Sequence, residues 1–412
     1  MDKRANAAFP VTADIPDEVE PEVEAPDDGL AGRARLIAIA EKAAIRRVDV
    51  VAWRDLEDAE AGGSELHAHE VMRRWADAGI DVRAWTSRVD GAARQIDRNG
   101  YTVSRRAGRY AVFPRTVLAG ARSRIGTGDG LVEIWNGMPF FTPLWSQSPR
   151  MVFLHHVHAE MWQMALPPKL AALGHGLEHQ VAPPFYRRAS IVTLSESAKR
   201  DIVRRLRLRA SHISVVPPGI DGRFSPGGRR DPDPLVVAVG RLVPVKRIDR
   251  FIEAMVVLKA RQPALRAMVV GEGYERPELE ARITRHGAAS WLTLPGRLDD
   301  DALRALYRRA WLVGSTSVRE GWGMTLTEAA ACGTPAVATR ITGHDDAVID
   351  GESGYLVEGV EQFANAADAI IADPMLRRRL GQGALRHAAR FTWETTAAGT
   401  LEVLAREVSR RR

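Results

Sequence analysis

Short apolar runs alternate with stretches of helical spacing along most of this chain, in two successive series. The first comprises Val48–Trp53, Val82–Thr86, Tyr101–Ser104, Leu131–Trp135, Met151–His158 (which ends in histidines), Ile191–Leu194 and Ile213–Val216. The second comprises Leu235–Val239, Met268–Val270, Leu292–Leu294, Leu312–Val313 and Ala336–Ala338. Strands this short and apolar, each followed by a helix, belong in parallel sheets covered on both faces. Two series predict two doubly wound α/β sheets facing each other, with ligands at the carboxyl ends of the strands. A chain of 412 residues is also too long for one ordinary core. The expected units are an acidic, proline-rich, disordered tail over 1–30, a first domain over 31–222 and a linker over 223–234. A second domain over 235–390 and a closing helix over 391–412 complete the chain. Within this scheme Ala31–Arg47 and Met161–Val181 read as helices, and Ser195 reads as the N-cap of a helix over Glu196–Leu206.

Composition removes several classes of function. Hydrophobic residues make up 45% and charged residues 27%, the balance of a soluble globular protein. No apolar run approaches the roughly 18 to 20 residues that span a bilayer. The start, Met-Asp-Lys-Arg-Ala-Asn, lacks the apolar core of a signal peptide. One cysteine, Cys332, excludes an internal disulfide and fits a reducing cytoplasm; its place between helix and sheet makes it a packed, inert thiol. The net charge of +6 suits nucleic acid, an anionic membrane or phosphorylated substrates. No nucleic-acid-binding motif is present, so nucleic acid ranks below the other two. The segment Arg105–Arg124 interleaves arginines with Tyr110, Phe113, Val117 and Leu118. It reads first as an amphipathic segment with a solvated basic face, and second as a surface drawn to anionic lipid or a phosphorylated acceptor.

The most informative stretch for chemistry is Arg319–Thr339, R-E-G-W-G-M-T-L-T-E-A-A-A-C-G-T-P-A-V-A-T. Gly321-Trp322-Gly323 is a glycine-flanked turn feeding a helix that Gly333 can stop. The unpaired N–H groups of such a helix start, with the dipole, form a seat for phosphate or a sugar hydroxyl. Glu328 near the helix start can accept from a vicinal diol, and Glu320, on the other side of the loop, can grip a second polyol. Two diol clamps around a phosphate seat suit a nucleoside-diphosphate sugar.

Glu320 and Glu328, in E-G-W-G-M-T-L-T-E-A-x-A-x-G-T-P-A-V, resemble the E-x7-E signature of retaining glycosyltransferases of family 4, which have the GT-B fold. Trp322 stands where relatives carry Phe or another apolar residue, a departure expected to reshape the sugar pocket. Gly240-Arg241-Leu242-x-x-x-Lys246 resembles the family's G-R-L-x-x-x-K, with Arg247 where Gly often follows. Gly271-Glu272-Gly273 resembles G-x-G-P with Tyr274 in place of Pro, and Pro217–Asp221 resembles the interdomain V-P-N-G-V-D. Phe391-Thr392-Trp393 resembles the F-x-W tail that crosses back to the first domain. The resemblance implies a Gly62-Gly63 loop open to the donor diphosphate or acceptor, and backbone at Gly296-Arg297-Leu298 reading the nucleobase. It implies a histidine at the end of Met151–His158 reaching the donor sugar, His155 first and His156 second. Strand alternation puts these two on opposite faces, so they do not form a metal site. The sequence Asp231-Pro232-Asp233 is likewise read as exposed linker.

The expected reaction moves a hexose from a UDP- or GDP-sugar to an acceptor hydroxyl with retention and without a metal or other cofactor. Arg241, Lys246 and the N–H groups of Gly321–Met324 would stabilise the departing diphosphate. Glu320 would hold the sugar, Glu328 the ribose, and His155 would orient the donor, with Gly240 and Thr325 lining the donor site. Charge alone points to a phosphorylated, lipid-linked or cell-envelope acceptor at the inner face of a membrane. The alternatives are a nucleotide-sugar epimerase on the same fold and a catalytically silent nucleotide-sugar-binding protein.

Overall fold

The computed structural model describes residues 28–411. The first series forms a sheet of β1 (Arg47–Val51), β2 (Asp81–Ser87), β3 (Gln95–Arg98), β4 (Tyr101–Ala107), β5 (Gly130–Ile134), β6 (Arg150–Phe153), β7 (Ser190–Thr193) and β8 (Ile213–Val215). Its order is β3-β4-β2-β1-β5-β6-β7-β8, parallel apart from the antiparallel β3–β4 pair. The second series forms β9 (Leu235–Val239), β10 (Arg266–Val270), β11 (Leu292–Gly296), β12 (Leu312–Ser315), β13 (Ala336–Thr339) and β14 (Gly354–Val357). These pair in the order β11-β10-β9-β12-β13-β14, all parallel. Both sheets are packed by helices, so β1 and β9 are buried almost throughout. In β12, Gly314 is small because two rings press on it: a Cβ there would lie 2.7 Å from both Phe251 and Phe363.

The helix Trp393–Arg411 packs against the first sheet and its helices. Trp75 Nε1 donates to Ala397 O (3.0 Å), Arg74 Nε to Glu394 (2.8 Å) and Ser190 Oγ to Glu407 (2.7 Å). Gly130 in β5 leaves room for Leu404, whose Cδ2 would lie 2.7 Å from an added Cβ. The helix Asp28–Ala43 lies on this one, burying Leu36 and Ala40 and pairing Arg35 with Glu402 at 2.7 Å. The chain passes between the lobes twice, side by side: Ile220 bridges to Thr392, and a Cβ on Gly219 would lie 2.2 Å from Trp393 N.

Several expectations change. The disordered tail was drawn to residue 30, yet the helix begins at Asp28; residues 1–27 lie outside the described ones. The helix expected over Met161–Val181 is three pieces, Met161–Ala165, Pro168–Gly176 and a wider turn Leu177–Val181. Pro167 and Pro168 supply no N–H and cannot continue the first piece. Asp231 is buried, not exposed, because Arg266 (3.3 Å) and Arg309 (2.6 Å) close around its carboxylate. Arg105 is buried in β4 and does not belong to a solvated face.

Candidate active site between the two lobes

The loop Glu320–Met324 stands at the carboxyl edge of the second sheet, and its glycines have separate reasons. Gly323 takes φ +123°, which side chains avoid. Gly321 meets the other lobe: an added Cβ would lie 2.9 Å from His155 O. The helix Met324–Ala331 follows, with Thr325 half-buried on its first turn, and ends at Cys332 and Gly333, the latter at φ +73°. Cys332 is buried, and burial raises its thiol to about 11, in keeping with a packed, inert residue.

Glu320 is paired with Lys246 and accepts from Ser317 Oγ at 2.8 Å. Burial pushes its carboxyl up, but Lys246, His344 and the Ser317 hydroxyl overcome this and hold it at about 2. His344 is buried beside the loop, its Nδ1 2.8 Å from Thr339 O and its Nε2 3.3 Å from Ser315 Oγ. Glu328 has the opposite environment. Burial, with smaller pushes from Asp300 and Asp221, raises it to about 7 despite a 3.1 Å hydrogen bond from Tyr307 Oη.

The turn Gly240–Leu242 is pressed onto Gly271-Glu272-Gly273. An added Cβ would lie 1.9 Å from Gly240 O at Gly271 and 2.1 Å from Leu242 O at Gly273. This fixes the backbone from which Arg241 reaches across the cleft, its Nη1 donating to Glu60 O at 3.1 Å. Burial, then the nearby Arg54, lowers the Arg241 guanidinium from its ordinary value. The Gly62-Gly63 loop faces these groups. A Cβ on Gly62 would lie 3.5 Å from Arg241 Nε, and one on Gly63 would lie 3.0 Å from Met324 Sδ. The first turn of helix Gly63–Asp77 is held by its own carboxylate, Glu65, which accepts from Gly62 N (2.8 Å) and Arg54 Nε (3.2 Å). Arg297 is exposed and Leu298 half-buried past the end of β11. Arg241, Lys246, Glu320 and the Met324 helix start therefore lie together beside the Gly62-Gly63 loop, while Glu328 sits further along the helix against Tyr307.

Residues 223–387 match the family described as glycosyl transferases group 1, and residues 61–223 match Glycosyltransferase Family 4. A D-inositol 3-phosphate glycosyltransferase of Salinispora arenicola (strain CNS-205) is 30% identical over 402 residues, covering 85% of this chain and 88% of that protein. The chain belongs to the family 4 glycosyltransferases. In structure, the transferase resembles sucrose-phosphate synthase of Thermosynechococcus elongatus (TM-score 0.72, 20% identity, 85% of this chain and 96% of that one). It also resembles Anabaena HepE, solved with UDP and glucose (TM-score 0.68, 18% identity, 88% of this chain and 100% of that one). Both likenesses establish the GT-B fold.

Two of the expected site residues are placed differently in this glycosyltransferase. His155 turns into the first lobe, its Nε2 3.2 Å from His67 Nδ1 and its ring stacked on Phe153. Burial, then His67 and His156, pushes it well below the ordinary range. His156 is the histidine beside the cleft, where burial lowers it to about 4 and Glu320, Arg319, Lys246 and Arg241 all act on it. The two rings point apart, as strand alternation implies, but β6 ends at Phe153, so strand periodicity does not tell which one faces the cleft. The Trp322 indole is buried at the seam between lobes with Leu194, edge-on to Phe391 at 5.0 Å, and is not open to the cleft.

Ser317, His344 and Tyr307 were missed. None lies in a recognisable motif; Ser317 reaches Glu320 within the loop after β12, while His344 and Tyr307 are brought to their carboxylates by packing around β12 and β13. A pocket beside the Gly62-Gly63 loop was also invisible in the sequence; Arg54, Asp55, His69, Arg98, Tyr101 and Asn136 contribute to its walls. Its arginines are already paired. Arg98 meets Asp55 (2.9 Å) and Glu57 (2.5 Å), and Arg105 behind it meets Asp55 (3.1 Å) and Glu57 (2.8 Å). Among the described residues no group of three or more His, Cys, Asp or Glu is arranged to hold a metal ion.

Proposed function

We propose that the protein transfers a hexose from a UDP- or GDP-sugar to an acceptor hydroxyl with retention of anomeric configuration, in cell-envelope, glycolipid or polysaccharide biosynthesis. The observation that carries this reading is the convergence of Arg241 and Lys246 with the Gly321–Met324 helix start. The bond from the anomeric carbon to the β-phosphate oxygen breaks, and the acceptor oxygen bonds that carbon from the same face. The acceptor's proton passes to the departing phosphate. Arg241, as a planar fork, and Lys246, as a point charge, neutralise the growing negative charge, as a divalent ion does in other transferases. Glu320 keeps Lys246 aimed into the groove and, fully ionised at neutral pH, accepts from sugar hydroxyls. Glu328 accepts from the ribose diol, and His156, kept neutral, is available to the sugar. The paired arginines of the first-lobe pocket suit an acceptor that presents hydroxyls. HepE, solved with UDP and glucose, supports a nucleotide-sugar donor by analogy of fold.

The test is transfer from UDP- and GDP-hexoses to sugar and polyol acceptors in excess EDTA, with the anomer read by NMR. A new α-linkage from an α-donor with EDTA present supports the reading. An inverted product, or an absolute need for Mg²⁺ or Mn²⁺, refutes it. A new sugar nucleotide formed without acceptor would identify an epimerase instead.

A further inference from the structure

One face of the first lobe is built from short helices laid edge to edge. The ring of Trp145, in helix Thr142–Trp145, covers Gly120 of helix Val112–Ala121, where an added Cβ would lie 2.0 Å from the indole. The Phe141 and Phe185 rings, 5.8 Å apart, join this pair to helix Pro183–Tyr186. That helix continues from the turn Leu177–Val181 and helix Pro168–Gly176. The neighbouring helix Met161–Ala165 packs on the turn Pro244–Lys246, so one end of the run borders the cleft.

These helices leave apolar side chains in water. Leu144 is 61% exposed, Leu173 59%, Leu170 53%, Leu118 49%, Val181 44% and Phe185 42%. A water-facing set of this size marks an interaction surface. The charges interleaved with it are of one sign. Arg115, Arg122, Arg124, Lys169, Arg187 and Arg188 are exposed. Among the described residues none of the six meets a carboxylate. The four carboxylates between residues 109 and 190 are all engaged elsewhere. Glu133 and Glu178 are buried. Asp129 accepts from the N–H groups of Arg46 (2.7 Å) and Arg47 (2.9 Å), and Glu160 pairs with Arg319 (3.0 Å) and Arg205 (3.0 Å).

We propose that this face seats the protein on an anionic lipid surface, apolar side chains entering the interface and the six cations meeting phosphate headgroups. Leucines and a phenylalanine flanked by unpaired arginines match the chemistry of an interfacial helix. A second copy would match the apolar set but would bring six further like charges to the same seam. The proposal concerns location and does not depend on the sugar chemistry.

The experiment is sedimentation of the full chain with vesicles of phosphatidylcholine alone and of phosphatidylcholine with phosphatidylglycerol. Selective pelleting with the anionic vesicles, reversed by salt, is expected. The Arg122→Gln, Arg124→Gln and Arg188→Gln triple variant should bind about five-fold more weakly per arginine, on the order of a hundred-fold in all. Leu144→Ser with Phe185→Ser should also weaken pelleting with the anionic vesicles at low salt. Thermal-shift response to nucleotides serves as the folding control and should be unchanged, since these residues lie outside the cleft. Equal pelleting with both vesicles, or with neither, overturns the proposal. So does a dimer in solution that the Leu144→Ser, Phe185→Ser variant dissolves.

Discussion

Replacing Lys246 by Met keeps most of the side chain's length but removes the cation facing Glu320. Burial alone would raise that carboxyl; Lys246, His344 and Ser317 instead carry it from 4.5 to about 2. The difference, 4.5 minus 2, is about 2.5 units, or roughly 3 kcal/mol in favour of the folded anion. Because the folded value is depressed, this stabilisation is complete above pH 4.5 and is lost as pH falls towards 2. Lys246→Met removes the largest of these favourable contributions and should cost on the order of 1–3 kcal/mol at pH 7. The deficit should shrink below pH 4. Adding Glu320→Gln removes the stranded charge and should restore most of the stability. It should not restore turnover, which both variants lose by roughly a hundred- to a thousand-fold if Lys246 stabilises the leaving diphosphate. Urea unfolding followed by tryptophan fluorescence at pH 7 and pH 4, beside steady-state transfer, reads both quantities. Wild-type turnover in the double variant would reduce Lys246 to a structural partner. Unchanged stability of the single variant at pH 7 would remove the ion-pair argument itself.

Arg241→Ala should lower kcat far more than it raises KM for the donor, and a change confined to KM would leave Arg241 a binding group only. Glu328, at about 7, ionises across the neutral range, so nucleotide-sugar affinity should rise as pH passes through 7 and become flat in Glu328→Gln. Folding stability should move the other way, falling as pH rises from 4.5 through 7, because the folded value is raised; calorimetric titration and thermal melts at pH 6 and 8 check both. Gly321→Ala places a methyl 2.9 Å from His155 O, a backbone atom that cannot step aside. It should cost about 1–3 kcal/mol and weaken donor binding, visible as a lower Tm and a higher KM.

The parallel core of both lobes was legible because short apolar runs recurring between helical stretches have few other uses. Two strands were overlooked. β3 is announced by Asn99-Gly100, both at positive φ as a tight hairpin demands, but its pattern Gln95–Arg98 is mostly polar because it is an edge. β14, Gly354–Val357, is short and follows a glycine-rich turn, so it blends into a loop. Within the site, glycines and charged residues fixed by a strand end could be read from order alone. Arg241 and Lys246 follow β9, and Glu320 follows β12. What depends on the other lobe could not be read. Trp322 owes its position to Leu194 and Phe391, brought near only when the lobes meet, and His155 owes its own to His67, brought near by the folding of the first lobe. The Glu328 environment was similarly hidden, since a carboxylate beside a buried tyrosine looks in sequence like any other glutamate.

The paired crossings at Ile220 and Thr392 have a mechanical consequence. A body attached at a single point can spin freely; one attached along a short strip can only swing, as a door does on its jamb. Here the strip is stiff, for Gly219 admits not even a methyl group against Trp393. Any movement between the halves would then be confined to a swing about this strip.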